Sequence, residues 1–251
     1  METFKYDELQ IYRGDDLCVN KYLSIKQATL GEICDYGEFQ YLSLVRLFTS
    51  TPADMMWQLD DQGVDYTEIS EWELFCDYLY KAFKPEYSSI LFGEFDFSKL
   101  KKYTDEATGE ISLAMQSYNG ESIIFDYATY LYATDYLRKV HNLRKNEDNP
   151  FNEETKRILI EEARENALYQ KNEKQKSVFK NLISAMVNSS GFKYDWQSIW
   201  NMKINAFMDS VSRIQKIKNS ELLLQSGYSG FGIDLSKLKN KEKQLDWMGE
   251  L

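Results

Sequence analysis

Few side-chain types carry chemistry, and this chain is poor in the combinations that matter. It holds one histidine, His141, which excludes a multi-histidine metal site and most general-base schemes. Near the carboxyl end of a predicted helix, His141 reads as structural, its charged form favoured by the carbonyl end of the helix dipole. Cys18, Cys34 and Cys76 are odd in number and far apart, without the close pairs that zinc or dithiol chemistry requires; they read as reduced and mostly packed. Asp60, Asp61 and Asp65 surround Gly63, but the alternation and distal glutamate of a calcium loop are out of register, which leaves a solvated turn. Asp35 with Glu38, or Glu161 with Glu162 and Glu165, could form carboxylate pairs, yet acids at helical spacing are ordinarily a solvated face. Gly227, Gly230 and Gly232 lack the lysine and the strand-to-helix setting of a phosphate loop. No catalytic, metal-binding or cofactor-binding residue is assigned, and the chain reads as non-enzymatic and without a cofactor.

The elements that would position any site read as α+β, predominantly α-helical: N-terminal strands and a small antiparallel sheet, followed by a C-terminal helical hairpin. Near-alternation predicts strands at Leu9–Tyr12, Leu17–Val19 and Tyr22–Ile25, a small meander. Thr29 with Glu32 predicts a capping box and a helical stripe through Leu30, Ile33, Tyr41 and Leu44. Thr51-Pro52 predicts a short helix closed at Asp60–Gly63. A second box, Ser70 with Glu73, opens a helix carrying Trp72, Phe75, Leu79 and Phe83. Between Ser88 and Phe125 the spacing predicts strands at Ile90–Phe92, Phe95–Phe97, Ile111–Met115 and Ile123–Phe125, with a hairpin at Asn119-Gly120. Asp126 then caps a helix that runs towards His141. The polar run Arg144–Pro150 divides a mixed α+β domain, 1–148, from a helical domain with a C-terminal tail, 149–251. In the latter, a charged helix spans Asn152 to about Gln170, with Lys171–Lys176 as either a hinge or a continuation of the helix. Val178–Lys218 then reads as two amphipathic helices: Val178, Leu182, Ala185 and Met186 line the first, which ends near Gly191. Trp196, Trp200, Ile204, Phe207 and Val211 line the second, capped by Asp195.

Composition bounds the function. The formal net charge of -10, from 40 acidic and 30 basic side chains, leaves no positive excess for a phosphate backbone, so nucleic acid is not an expected partner. No run of about 18 apolar residues occurs and the amino terminus has no signal-peptide pattern, so neither membrane insertion nor export is expected.

The words Thr29-Leu30-Gly31-Glu32-Ile33, Tyr36-Gly37-Glu38 with Tyr41, Thr51-Pro52 with Asp54, Gly63-Val64-Asp65-Tyr66 and Glu73-Leu74-Phe75 resemble proteins of the tail-gene modules of long-tailed phages of low-GC Gram-positive bacteria. So do Leu182–Ala185, Phe207–Val211, Tyr228-Ser229-Gly230 and Asp246-Trp247-Met248. Ala28 stands where the family word has proline. The resemblance implies a tail assembly chaperone that binds the tape-measure protein in the host cytoplasm before the tail tube forms around it. It implies no catalytic residues. Two other classes stay open: a structural tail or baseplate component of the virion, and a phage-encoded binder of a host defence protein. The expected partner is a protein, with self-association alongside. Tyr228, Phe231 and Trp247 are the candidate partner-binding residues, because they are large and apolar in a region of little periodicity. The tail docks either on a partner or back over its own helices.

Overall fold

Asp7 and Gly14 bracket the first element. In the computed structural model, which describes residues 7–117, 119–172, 176–228, 232, 234, 237, 239, 240 and 244–249, Asp7 accepts from the Leu9 and Gln10 amides and Gly14 takes a left-handed φ of 89°. These are an N-cap and a C-terminal stop, so Glu8–Arg13 is a helix, α1, and not the predicted strand. Leu9 and Ile11 fit alternation, but Ile11 is buried and Leu9 lies in solvent, as a helix requires. The expected meander reduces to a two-stranded antiparallel ladder, β1 (Leu17–Cys18) with β2 (Ser24–Ile25).

The Thr29–Glu32 capping box is present and opens α2 (Leu30–Tyr36). Gly37, at φ 108°, ends α2, and α3 (Glu38–Thr49) follows. Thr51 and Asp54 cap a short 3-10 turn, Pro52–Met55, that leads into α4 (Met56–Asp60). Ser70 and Glu73 open α5 (Glu71–Leu74), which continues as a π-turn through Phe75–Leu79 and a 3-10 turn through Ala82.

The strand predicted at Ile90–Phe92 is instead the end of α6 (Pro85–Phe92), with Pro85 at its first position. A continuous apolar triplet buries equally well on either element, and the proline start decides it. Phe95–Phe97 is not a strand either; a 3-10 turn covers Phe97–Lys99. The antiparallel sheet holds β4 (Ile111–Gln116) and β5 (Ser122–Phe125) as expected, plus an unforeseen edge, β3 (Lys101–Thr104), in the order β3-β4-β5. All four β3 residues are exposed, so no apolar alternation marked it. In the β4–β5 turn Gly120 takes a positive φ of 77°.

Asp126 caps α7 (Tyr127–Val140) as predicted. Then come α8 (Glu153–Asn172), α9 (Val178–Val187), a 3-10 turn at Ser198–Asn201 and α10 (Ile204–Tyr228). The second long helix thus starts eight residues later than predicted. Asp195 does accept from the Gln197 and Ser198 amides, but in the turn that leads into the 3-10 segment and not at the start of α10. The buried stripe of α9 is Phe179, Ile183 and Met186, with Val178 exposed. Gly191 does not take the left-handed conformation expected of it.

Aromatic rings fill the centre. Phe48 on α3 lies between 4.8 and 6.1 Å from the rings of Phe75, Phe83, Phe92, Phe97 and Tyr130, separations at which edge-to-face and tilted pairs add to area burial. The C-terminal helices are stitched to the N-terminal part by backbone. The Leu30 amide donates to Met202 O, the Ile204 amide donates to Ala28 O, and Thr29 pairs with Lys203 across this bridge.

Candidate functional site: an apolar cleft between α2, α9 and a tryptophan turn

Just outside that stitch lies a cleft of about 400 Å³. Its floor is apolar: Leu30 and Ile33 of α2 face Phe179 and Ile183 of α9. Trp196 and Trp200, from the turn before α10, close one side and remain 53% and 38% exposed. Such half-exposed tryptophans, on a capped turn with little freedom to lose, are the side chains that anchor protein interfaces.

Each wall is held by a specific device. Gly31 admits the turn: a Cβ built there would sit 3.0 Å from the Trp200 carbonyl oxygen. On the opposite wall, Glu38 Oε1 accepts from the Val178 and Phe179 amides at 2.7 and 2.8 Å. Those amides have no partner within their own helix, and a carboxylate also complements the positive end of the dipole. Ser177 caps the same end through the Lys180 amide. Phe179 then reaches the Phe207 ring of α10, 6.2 Å away and edge-on. Cys34, exposed, lines the cleft.

The other candidate groups take structural places. The ring of His141 is buried, with Nδ1 2.8 Å from Leu137 O and Nε2 2.7 Å from the Tyr41 hydroxyl. A carbonyl can only accept, so Nδ1 carries the proton, Nε2 accepts, and Tyr41 donates. Burial lowers the His141 pKa to about 4, which overturns the expectation of a favoured charged form: desolvation outweighs the helix end. Burial likewise raises the Tyr41 pKa. The three cysteines are free, but Cys18 and Cys34 are exposed and only Cys76 is packed, its thiol pushed up to about 12 by burial. Of Asp35 and Glu38, the second spends its carboxylate on the start of α9. The acids around Gly63 are ion-paired rather than merely solvated. Arg164 of α8 donates to Asp60 and Asp61 at 2.9 and 2.6 Å. Lys156 pairs with Asp65 and holds its carboxyl down at about 2. Among the described residues no group of three or more His, Cys, Asp and Glu is placed to hold a metal.

Of the candidate partner-binding residues, Tyr228 ends α10 and is 84% exposed. Trp247 lies beside the same helix: Arg213 donates to the Trp247 and Gly249 carbonyls at 2.7 and 2.8 Å, and Ser220 donates to Gln244 O at 2.8 Å. Its ring stays half-exposed. Phe231 lies outside the described residues. The sequence reading missed the cleft because it placed both tryptophans on the buried stripe of a helix. The signal that could have found it is Asp195 with Ser198, a cap for a turn before Met202 and Lys203.

Residues 171–251 match the YomV second domain family. It is a phage-associated domain family, and the match covers about a third of the chain. No curated protein and no solved structure matches the chain. The YomV-like segment carries α9, the tryptophan turn and α10. Leu30, Ile33, Cys34 and Glu38 precede it, so the cleft lies on the seam between that segment and the rest of the chain. No helix among the described residues is long and apolar enough to cross a membrane.

Proposed function

We propose that this chain is a non-enzymatic, phage-encoded protein-binding protein. In this reading it acts in the host cytoplasm as a tail assembly chaperone, and the cleft between α2 and α9 receives an apolar helical face of the tape-measure protein. The observation that carries the reading is the pair of half-exposed tryptophans, Trp196 and Trp200, set over an apolar floor. An amphipathic helix laid in such a groove buries its anchors at helical spacing. The phage association of the YomV-like segment supports a phage setting, and the tail-module resemblance suggests the tape-measure protein as partner. Tyr228 and Trp247 form a second contact along α10, with Phe231 between them in sequence.

Co-expression with the tape-measure gene tests the reading. A soluble complex that dissociates on Trp196→Ala with Trp200→Ala supports it, and a tape-measure protein equally soluble with and without this chain overturns it. Mass spectrometry of purified particles separates the chaperone from a structural tail or baseplate component: stoichiometric presence would replace the chaperone with the virion protein.

A further inference from the structure

A second, chemically different groove lies away from the cleft, where the β3–β4 hairpin meets the starts of α5 and α7; its volume is about 810 Å³. Four carboxylates, Glu73, Asp105, Glu110 and Asp126, and three aromatic rings, Trp72, Tyr103 and Tyr127, line it, and none of its lining residues is cationic. Of the two lysines of the adjoining strand, Lys101 and Lys102, the second is paired with Asp77.

Two of the rings, Trp72 and Tyr127, are packed together. Trp72 is buried and donates its indole N–H to Ile111 O at 3.0 Å, and its ring lies 6.3 Å from that of Tyr127. Tyr103 and Tyr127 are about half exposed. The charge is held as well. Hydrogen bonds from the Ser70 backbone keep the Glu73 carboxyl below its usual range, and those from the Thr108 and Ala107 amides do the same for Asp105. Both are ionised at neutral pH. Aromatic faces and ionised carboxylates attract the same kind of group, a cation on a side chain long enough to lie across a ring.

We propose that this groove docks an arginine-bearing segment of a protein partner, with guanidinium groups stacked on Tyr103 and Tyr127 and paired with Glu110 and Asp105. The proposal is independent of the cleft, so Trp196→Ala with Trp200→Ala should leave it intact.

The test is fluorescence anisotropy of a fluorescein-labelled Ala-Arg-Ala-Arg-Ala peptide on the full chain in about 0.15 M salt, where long-range attraction to the acidic protein is screened. Saturable binding is expected. Tyr103→Ala with Glu110→Gln, both at exposed positions, should weaken it roughly ten-fold, whereas Tyr103→Phe, which keeps the ring, should not. Glu162→Gln with Glu165→Gln, removing charge from the exposed face of α8, should change it by less than about two-fold. Absence of saturable binding would overturn the proposal, as would an equal loss in the α8 variant, which would mark general acidity. Competition by spermidine as strong as by unlabelled peptide would also overturn it, in favour of a small-cation site.

Discussion

The Tyr41 hydroxyl donates to Nε2 of His141 at 2.7 Å, joining α3 to the residue that ends α7 inside the core. The chain's one histidine is thereby fixed as a neutral acceptor. Its pKa lies near 4 in the folded protein against 6.5 for the ordinary side chain, so the unfolded chain takes up a proton that the folded chain refuses. The contribution is complete above about pH 6.5 and is lost as the pH falls towards 4, and the gap corresponds to roughly 3 kcal/mol. Urea unfolding at a series of pH values should show this slope, and His141→Gln should flatten it. The Asp65–Lys156 pair loses its own contribution only at lower pH, as Asp65 protonates between its ordinary value and about 2.

Tyr41→Phe removes the donor without changing the ring. A buried Nε2 left unsatisfied should lower stability by about 1–3 kcal/mol at pH 7, measured from the urea midpoint. Loss well below that range would mean that another donor reaches the imidazole.

Glu38→Ala should cost about 1 kcal/mol, the usual loss for a helix start deprived of its cap. Glu38→Gln keeps an oxygen acceptor and should cost less. Amide hydrogen exchange is the sharper readout: protection of Val178 and Phe179 should fall in Glu38→Ala while that of Tyr41 holds.

Phe48→Ala empties the centre of the aromatic cluster and should cost about 3–5 kcal/mol, seen as a large shift of the denaturation midpoint with unchanged slope. Arg164→Ala breaks an exposed ion-pair cluster with Asp60, Asp61 and Glu161. It should cost less than about 1 kcal/mol, more at low salt than at high.

What could be read from the sequence was what lies close along it. The Thr29–Glu32 and Ser70–Glu73 boxes and the Asp126 cap were legible because each joins partners three residues apart. Alternation failed at Leu9–Tyr12 and Ile90–Phe92, where short apolar patterns fit helix and strand alike and only the flanking Asp7, Gly14 and Pro85 decide. Register failed at Trp196 and Trp200, whose spacing continues that of α10 although a bridge at Lys203 interrupts the helix. The cleft itself was illegible. Its walls meet through Glu38 and Phe179, 141 positions apart, and no local pattern encodes a contact of that separation.

The bridge between Thr29 and Lys203 also sets an order of events. The Leu30 amide and the Ala28 carbonyl find their partners at Met202 and Ile204, so the start of α2 cannot be completed until some 174 further residues, Lys203 minus Thr29, have been made. At about 5–20 residues per second that is a wait of roughly 9–35 s. Closing so long a loop is itself slow compared with forming local helices. During that interval Leu30 and Ile33, both buried in the finished fold, are without their later cover.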